Sequence, residues 1–311
     1  MRPALAILCL STVAPSAVAQ PFRVDVNLVN VAFSVRDAHG RPAADLSKDD
    51  FEVLEDGVPQ RISLFARSLD VPLWLALMAD VSASQRSFNE GHRHDIKEFL
   101  KDVLAPRDQA FLVCFGSRIQ VVGDFTASGK SLMDEFERFE HDGGHYPLGA
   151  GTALFDAVYY AVTAKLAAVE GGRRALILFS DGQNNHSTHN MPDTIEAAQN
   201  TDTRIFAMRY SRSSLRRPNA TRMPAGRIAR DQYDGISVME RLARETGGAD
   251  FDAAQGNVRA IFRQIARELR ESYEVAYVST NAVRDGSFRK IAIRTRRAGL
   301  SVWAKTGYFA R

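Results

Sequence analysis

The chain has very few cysteines, and this scarcity limits the chemistry open to it. Only Cys9 and Cys114 occur in 311 residues, and Cys9 falls in an N-terminal segment with the features of a removable leader. One cysteine then remains, so no internal disulfide is possible. Cys114 lies within the apolar run Phe111-Leu112-Val113-Cys114-Phe115, a position typical of a buried core thiol rather than a reactive nucleophile.

The chain also lacks a strong excess of charge of one sign and a long hydrophobic run. Its formal net charge is +3, with 45% hydrophobic and 25% charged residues, which is average for soluble globular proteins. This balance favours neither nucleic acid nor a membrane surface as the partner. The apolar run from Ala4 to Val13 is shorter than the roughly 18 residues that a membrane-spanning helix needs, so we expect no membrane span.

The N-terminus instead has the organisation of a signal peptide. Arg2 precedes the apolar run, and Ala17-Val18-Ala19 places small residues where a signal peptidase reads them. We therefore predict a signal peptide over residues 1–19, which leaves 292 of the 311 residues in the mature protein. An exported protein, periplasmic or secreted, is expected.

Sequence signatures of catalysis are absent or incomplete. No Gly-x-Ser-x-Gly elbow occurs, and the seven histidines show no spacing that assigns them to a nucleophilic triad. The segment 123–131, which begins with Gly123-Asp124 and ends with Gly129-Lys130-Ser131, resembles a phosphate-binding P-loop. However, five residues separate its glycines where the motif requires four, and Asp124 would lie beside the phosphates. We expect no enzyme, and a P-loop-like nucleotide hydrolase is kept as an alternative.

Both ends of the mature chain have β-strand patterns. Residues 23–36 alternate with a one-residue slip that predicts a bulge, and residues 51–55 and 61–65 flank the turn Asp56-Gly57. After residue 271, strand-like segments recur at 273–279, 288–295 and 301–305. Because neither end has enough strands to be stable alone, we predict one small β-sandwich-like domain built from residues 20–69 and 272–311.

Between the two ends, strand-like and helix-like segments alternate. Apolar runs at 73–79, 110–115, 175–179 and 204–208 alternate with helical patterns near 94–104, 131–139, 152–169, 236–245 and 257–271. This alternation predicts an α/β domain over 70–271 with a doubly wound, mostly parallel sheet. The α/β domain is expected to be inserted into the β-sandwich-like domain.

Oxygen-bearing side chains follow two of these strands and precede one helix. The run 73–79 leads into Asp80-Val81-Ser82-Ala83-Ser84, Thr152 follows Gly151 at a helix start, and Asp181 follows the run 175–179 and Ser180. In doubly wound sheets, ligands bind beyond the carboxyl ends of the strands. Oxygen ligands without histidine or thiolate suit a hard cation, so the expected metal ligands are Asp80, Ser82, Ser84, Thr152 and Asp181.

These residues resemble the metal-ion-dependent adhesion site of the von Willebrand factor A family. The resemblance covers about residues 70–271 and implies a Rossmann-like fold that binds Mg²⁺, with Mn²⁺ as an alternative, and engages an acidic side chain of a partner protein. The segments 50–57 and 307–310 look like those of secreted acidobacterial proteins related to this family. Gln85-Arg86 departs from the usual pattern, at a position where a long side chain would crowd the metal or contact a ligand.

Four questions stay open at this level. A structural scaffold with an idle metal site is the alternative to a binding module. Most histidines fall near the expected metal edge, where we interpret them as solvated loop residues, with pH-dependent binding or transition-metal capture as alternatives: His92, His94, His141, His145, His186 and His189. The arginine-rich stretch 212–230 is interpreted as a mobile solvated loop, with binding of an acidic surface or a polysaccharide as the alternative. The oligomeric state is not encoded in any recognisable pattern.

Overall fold

A computed structural model describes residues 28–68, 71–143, 148–149, 151–210, 234–254 and 257–311. The predicted signal peptide, His145 and the stretch 212–230 lie outside these residues. The strands are β1 (Leu28–Arg36), β2 (Phe51–Glu55), β3 (Val58–Gln60), β4 (Ile62–Ser68), β5 (Leu73–Asp80), β6 (Gln109–Phe115), β7 (Ile119–Thr126), β8 (Arg173–Ser180), β9 (Thr203–Arg209), β10 (Ala249–Asp252), β11 (Ser272–Val278), β12 (Phe288–Thr295), β13 (Ser301–Ala304) and β14 (Gly307–Phe309). The α-helices are α1 (Asn89–Val103), α2 (Gly129–His141), α3 (Leu154–Tyr160), α4 (Met191–Asn200), α5 (Gly235–Glu245) and α6 (Val258–Arg270).

A six-stranded sheet forms the centre of the α/β domain. Its strand order is β10-β9-β8-β5-β6-β7, and every neighbouring pair is parallel except β6 and β7. The expected α/β class with a mostly parallel, doubly wound sheet is therefore confirmed. The antiparallel edge strand β7, the short strand β10 and helix α4 were not predicted from the sequence.

Helices cover both faces of this sheet because successive strand residues point to opposite sides. In β5, Leu75 and Leu77 pack into the apolar core under α1, α2 and α6. Ala76 and Met78, which alternate with them along the strand, pack into the core under α3, α4 and α5 on the other face. Since both faces are buried, the strands are continuous apolar runs without alternation, as parallel sheets require.

The two chain ends associate into a pair of four-stranded sheets. One has the order β13-β1-β11-β4 and the other β14-β12-β2-β3, so each contains strands from both ends. Their inner faces share one apolar core, in which the Phe33 and Phe51 rings lie 5.0 Å apart. The β-sandwich-like arrangement expected of the chain ends is thus confirmed.

Two details of the predicted sandwich are wrong. Asp56-Gly57 does form a two-residue turn, with φ of 49° and 84°, but it joins β2 to the short β3. The segment 61–65 belongs to β4, which pairs with β11 in the other sheet. The bulge expected near Leu28 is not observed within the described part of β1, since Leu28 to Phe33 pair with β11 without interruption.

The α/β domain meets the sandwich through buried charges. Glu268, on α6, is 1% exposed and pairs with Arg36 of β1 and, at 3.6 Å, with Arg204 of β9. The Arg36 guanidinium also lies 4.2 Å from the centre of the Trp303 ring in β13. Three strands and one helix are therefore tied together at this junction.

No helix in the described part of the chain is long and apolar enough to cross a membrane.

Candidate functional site

The candidate site lies where the strand order of the central sheet reverses. The chain passes from β5 to β6 on one side, and later returns to place β8 on the other side of β5. The loops that leave β5 and β8 therefore diverge to opposite faces and open a crevice between them, which is the usual ligand position in such sheets. Asp80 ends β5, and Ser180 and Asp181 follow one another at the end of β8.

Asp80 is fully buried at this crevice. One carboxylate oxygen, Oδ1, accepts the Ser82 backbone N–H at 3.0 Å, and Oδ2 accepts the Ser180 hydroxyl at 2.6 Å. Burial, with a smaller contribution from the nearby negative charge of Asp181, raises the pKa of Asp80 to about 7 against the effect of these hydrogen bonds. Two carboxylates of like charge in one crevice are an arrangement that a cation stabilises.

The two serines of the Asp-x-Ser-x-Ser segment lie side by side. Ser82 is fully buried, whereas Ser84 is exposed at the start of a short 3₁₀ turn over Ala83–Phe88. Their hydroxyl oxygens are 3.2 Å apart. A buried and an exposed hydroxyl next to a buried carboxylate give an oxygen-lined surface that opens toward solvent.

Thr152 reaches the same edge through the backbone. It is 2% exposed, and the next residue, Ala153, donates its N–H to the Gly116 carbonyl at 2.6 Å. Gly116 directly follows Phe115 in β6, whose carbonyl accepts the Val81 N–H at 2.9 Å. The Thr152 loop is thereby joined to the loop after Asp80.

Asp181 is half-buried and begins the loop that closes the other side of the crevice. The Gly182 N–H donates to the Ser180 hydroxyl at 3.0 Å, with Gly182 at a φ of +78°. A side chain at 182 would overlap the Gly235 carbonyl oxygen. Glycine is therefore required here by both conformation and space.

Hydrogen bonds connect the three loops into a closed ring. Ser180 contacts Asp80, and the loop after Asp181 contacts Thr152 through Asn185, which accepts the Thr152 N–H on Oδ1 at 2.8 Å. The ring is completed by the bonds from Ala153 to Gly116 and from Val81 to Phe115. The structure thus brings to one edge the five residues predicted as ligands: Asp80, Ser82, Ser84, Thr152 and Asp181.

The donor set has the chemistry of a hard-cation site. It consists of two carboxylates and three hydroxyls, and all five side chains offer oxygen atoms, the donor type that Mg²⁺ prefers. Among the described residues, no group of three or more His, Cys, Asp or Glu side chains is placed to hold a metal ion. A cation at this edge would therefore depend on the serine and threonine hydroxyls as well as on the two aspartates.

Sequence reasoning missed two residues that organise the site. Ser180 holds Asp80, and its signal was present as a polar residue ending the otherwise apolar strand 175–180. Asn185 holds Thr152 across 33 positions of sequence, and no sequence pattern marks that contact.

Gln85 and Arg86, the departure from the family pattern, point in different directions. Gln85 is 1% exposed, and its Nε2 donates to the Tyr210 carbonyl at 3.3 Å. The buried Gln85 side chain therefore connects the loop after Asp80 to the end of β9 and does not point to solvent. Arg86 is exposed.

The histidines near this edge fall into two groups. His94, His141 and His186 are exposed and His189 is half-exposed, in line with the solvated interpretation. For His92 that interpretation is wrong, because the residue is 1% exposed in α1, with its ring 4.3 Å from the Tyr210 ring. Burial lowers the pKa of His92 to about 3, although the Asp80 backbone carbonyl favours the charged ring. The imidazole is thus neutral at physiological pH.

The P-loop-like segment lies at the opposite edge of the sheet. Because β7 is antiparallel to β6, its last residue, Thr126, pairs with Ala110 near the start of β6. Asp124 forms an ion pair with Lys165 at 2.8 Å. The residues that the nucleotide-hydrolase alternative needs beside Asp181 are therefore separated from it by the length of the strands.

Among known proteins, this chain is similar to several solved structures at low sequence identity. No protein-family model matches the chain, and no curated protein matches it. BatB, a conserved hypothetical protein from Bacteroides thetaiotaomicron, is similar at 16% identity over 63% of this chain and 98% of that chain, with a TM-score of 0.48. Mussel byssus proximal thread matrix protein 1 with a zinc-occupied MIDAS motif is similar at 15% identity over 70% of this chain and 50% of that one, with a TM-score of 0.48.

A third solved structure, the manganese-loaded TRAP protein of Plasmodium vivax, is similar at 13% identity over 81% of this chain and 97% of that chain, with a TM-score of 0.44. All three TM-scores lie below 0.5, so the likenesses say nothing about what this chain binds. The strand order itself is the doubly wound α/β arrangement that the resemblance to the von Willebrand factor A family implied. The narrower likeness to acidobacterial proteins stays a prediction.

Proposed function

We propose that this chain binds a divalent cation and uses it to engage an acidic side chain of another protein. The ligands are Asp80, Ser82, Ser84, Thr152 and Asp181, and the ion is Mg²⁺, with Mn²⁺ as the alternative. The observation that carries the proposal is the closed ring of hydrogen bonds, which holds a fully buried Asp80 carboxylate and the nearby Asp181 carboxylate next to the paired Ser82 and Ser84 hydroxyls.

The proposed chemistry follows from the charge of the donors. Three of the five side chains are neutral hydroxyls, which are weak donors, so a bound divalent cation stays electron-poor enough to take an incoming carboxylate as a further ligand. The exposed Ser84 lies on the open side of the crevice, where such a group from a partner protein would approach. The protein's own residues fix the ion and exclude water from its buried side.

The proposed setting is outside the cytoplasm. The support comes from the sequence of residues 1–19, which has the features of a cleavable signal peptide. In that setting, we propose a periplasmic or secreted module for adhesion or envelope assembly.

Calorimetric titration of Mg²⁺ or Mn²⁺ into residues 20–311 tests cation binding. The wild-type chain is expected to bind one ion, and Asp80→Ala is expected to lose binding. Asp102→Ala is the matched control, since it removes an exposed carboxylate from the far end of α1. A wild-type chain that binds neither ion would sink the proposal and favour a scaffold with an idle site.

The carboxylate mode needs a separate measurement. In the Mn²⁺-loaded protein, acetate serves as the probe, and water-proton relaxation reports the water molecules bound to the ion. Acetate is expected to lower the relaxation enhancement by displacing water from Mn²⁺. An unchanged enhancement at saturating acetate would contradict this mode of partner binding even if the ion binds.

A further inference from the structure

The loop between β8 and α4 forms hydrogen bonds with both the backbone N–H and the backbone carbonyl of Thr152. Asn185 Oδ1 accepts the Thr152 N–H at 2.8 Å. In return, the backbone N–H groups of Asn185 and His186 both donate to the Thr152 carbonyl at 3.0 Å. Every backbone hydrogen-bonding group of Thr152 is thereby engaged by two consecutive residues.

These contacts also fix the orientation of the Asn185 amide. Because Thr152 N–H is a donor, the atom that faces it must be the amide oxygen. The same oxygen lies 3.1 Å from His186 Nδ1, so that ring nitrogen carries the hydrogen. The His186 ring in turn covers Gly151, where any side chain would overlap it.

A second set of bonds anchors the loop to helix α3. The Ser187 hydroxyl accepts the N–H groups of Phe155 and Asp156 at 3.0 and 3.2 Å. The Asp156 carboxylate accepts the N–H groups of Thr188 and His189, both at 2.8 Å. The position of Asn185 is therefore set by the first turn of a packed helix and not by a freely moving loop.

Thr152 needs such an external anchor because its own segment is rich in glycine and can adopt many backbone conformations. Glycines stand at 149 and 151, and Gly149 has a φ of +78°, so the backbone before Thr152 has little conformational restriction of its own. Without the Asn185 contact, this backbone would have to be ordered when the ion binds, and the conformational entropy lost would weaken ion binding.

We propose that Asn185 is the positioning residue for Thr152 in the cation site. The inference rests on the proposed function and assigns Asn185 no contact with the ion itself. Groups that orient a metal ligand typically change metal affinity by about 10- to 100-fold when removed. A loss of that size is expected for Asn185→Ala.

The test is Mn²⁺ binding followed by electron paramagnetic resonance in the mature chain, with melting curves recorded for every variant. Asn185→Ala is expected to bind Mn²⁺ about 10- to 100-fold more weakly and to broaden the spectrum of the bound ion. Asn185→Asp keeps an acceptor for the Thr152 N–H and is expected to restore the narrow spectrum. Asn200→Ala, an exposed asparagine at the end of α4, is the matched control and is expected to match wild type.

A double-mutant cycle separates positioning from general damage. If Asn185 acts through Thr152, the double variant Asn185→Ala with Thr152→Ala binds no more weakly than Thr152→Ala alone. Fully additive losses, or an Asn185→Ala affinity equal to wild type, would overturn the inference while cation binding stands. A wild-type chain that binds no Mn²⁺ would instead contradict the proposed function.

Discussion

Ser180 donates its hydroxyl hydrogen to the Asp80 carboxylate across 2.6 Å, and both side chains are completely buried. The two residues end neighbouring parallel strands, and the same hydroxyl accepts the Gly182 N–H. A single side chain thus orients one proposed ligand and fixes the loop that carries the other aspartate, Asp181.

Replacing Ser180 by alanine is expected to weaken Mn²⁺ binding about tenfold or more. A hydrogen bond to a charged group contributes about 1.5–3 kcal/mol. The variant removes the Ser180 hydroxyl from Asp80 and keeps the hydrogen bond from the Ser82 N–H. Calorimetry on Ser180→Ala and Ser180→Thr measures the effect. Since threonine keeps the hydroxyl, equal losses in both variants would contradict a role for the hydrogen bond.

Gly182→Ala is expected to destabilise the fold and the site together. The substitution forces a side chain into a left-handed backbone conformation, at a cost of about 1–3 kcal/mol, and into the Gly235 carbonyl. Thermal melting and Mg²⁺ titration are the measurements. Gly286→Ala is the control, because Gly286 has a similar φ of +75° but open space around it. A melting temperature no lower than that of the control would show that the contact with Gly235 relaxes easily.

Glu268→Gln is expected to reduce the free energy of unfolding by about 3–5 kcal/mol. That is the usual effect of removing one partner from a buried ion pair, and Arg36 and Arg204 would both keep buried positive charge. Denaturant unfolding measures the change. Glu196→Gln is the control, since its pair with Arg311 is exposed and is worth at most about 1 kcal/mol. Similar effects in the two variants would contradict a dominant role for the buried network.

Glu55 is expected to make the sandwich sensitive to acid. Burial alone would raise the pKa of Glu55, but hydrogen bonds from Ser279, Tyr277, Arg289 and Tyr308 outweigh it and hold the pKa below the ordinary value of 4.5. A lowered folded-state pKa means that this stabilisation is complete above about pH 4.5 and is lost as the pH falls through the folded-state pKa.

Melting curves from pH 6 to pH 3 provide the measurement. Wild type is expected to be more stable than Glu55→Gln at pH 6, and the difference is expected to shrink toward pH 3. A difference that stays constant over this range would show that Glu55 does not cause the acid sensitivity.

The sequence predicted the fold class and the proposed ligands because both depend on local patterns. Apolar strand runs that end in Asp80 and Ser180-Asp181 identify the edge of a parallel sheet, and the topology brings such edges together. Strand β7 was missed because Gln120, Gly123 and Asp124 interrupt its apolar pattern, as suits an edge strand.

The burial of His92 was predictable in principle. His92 lies four residues before Ile96 and seven before Phe99, on the buried face of α1. The expected helix start near residue 94 excluded it from that face. Asn185 is different, since its hydrogen bonds reach Thr152 through the fold alone, and no periodicity along the chain encodes them.

The junction between the domains has a mechanical consequence. The chain enters the α/β domain after Ser68 and leaves it at Ser272, and these two residues pair directly in adjacent antiparallel strands. Both connections leave the edge opposite Asp80, as the bonds from Arg173 to Leu269 and Ser272 show. A tensile load applied by a partner at the Asp80 edge would therefore be divided between β4 and β11, because both strands join the α/β domain at the same end of their pairing.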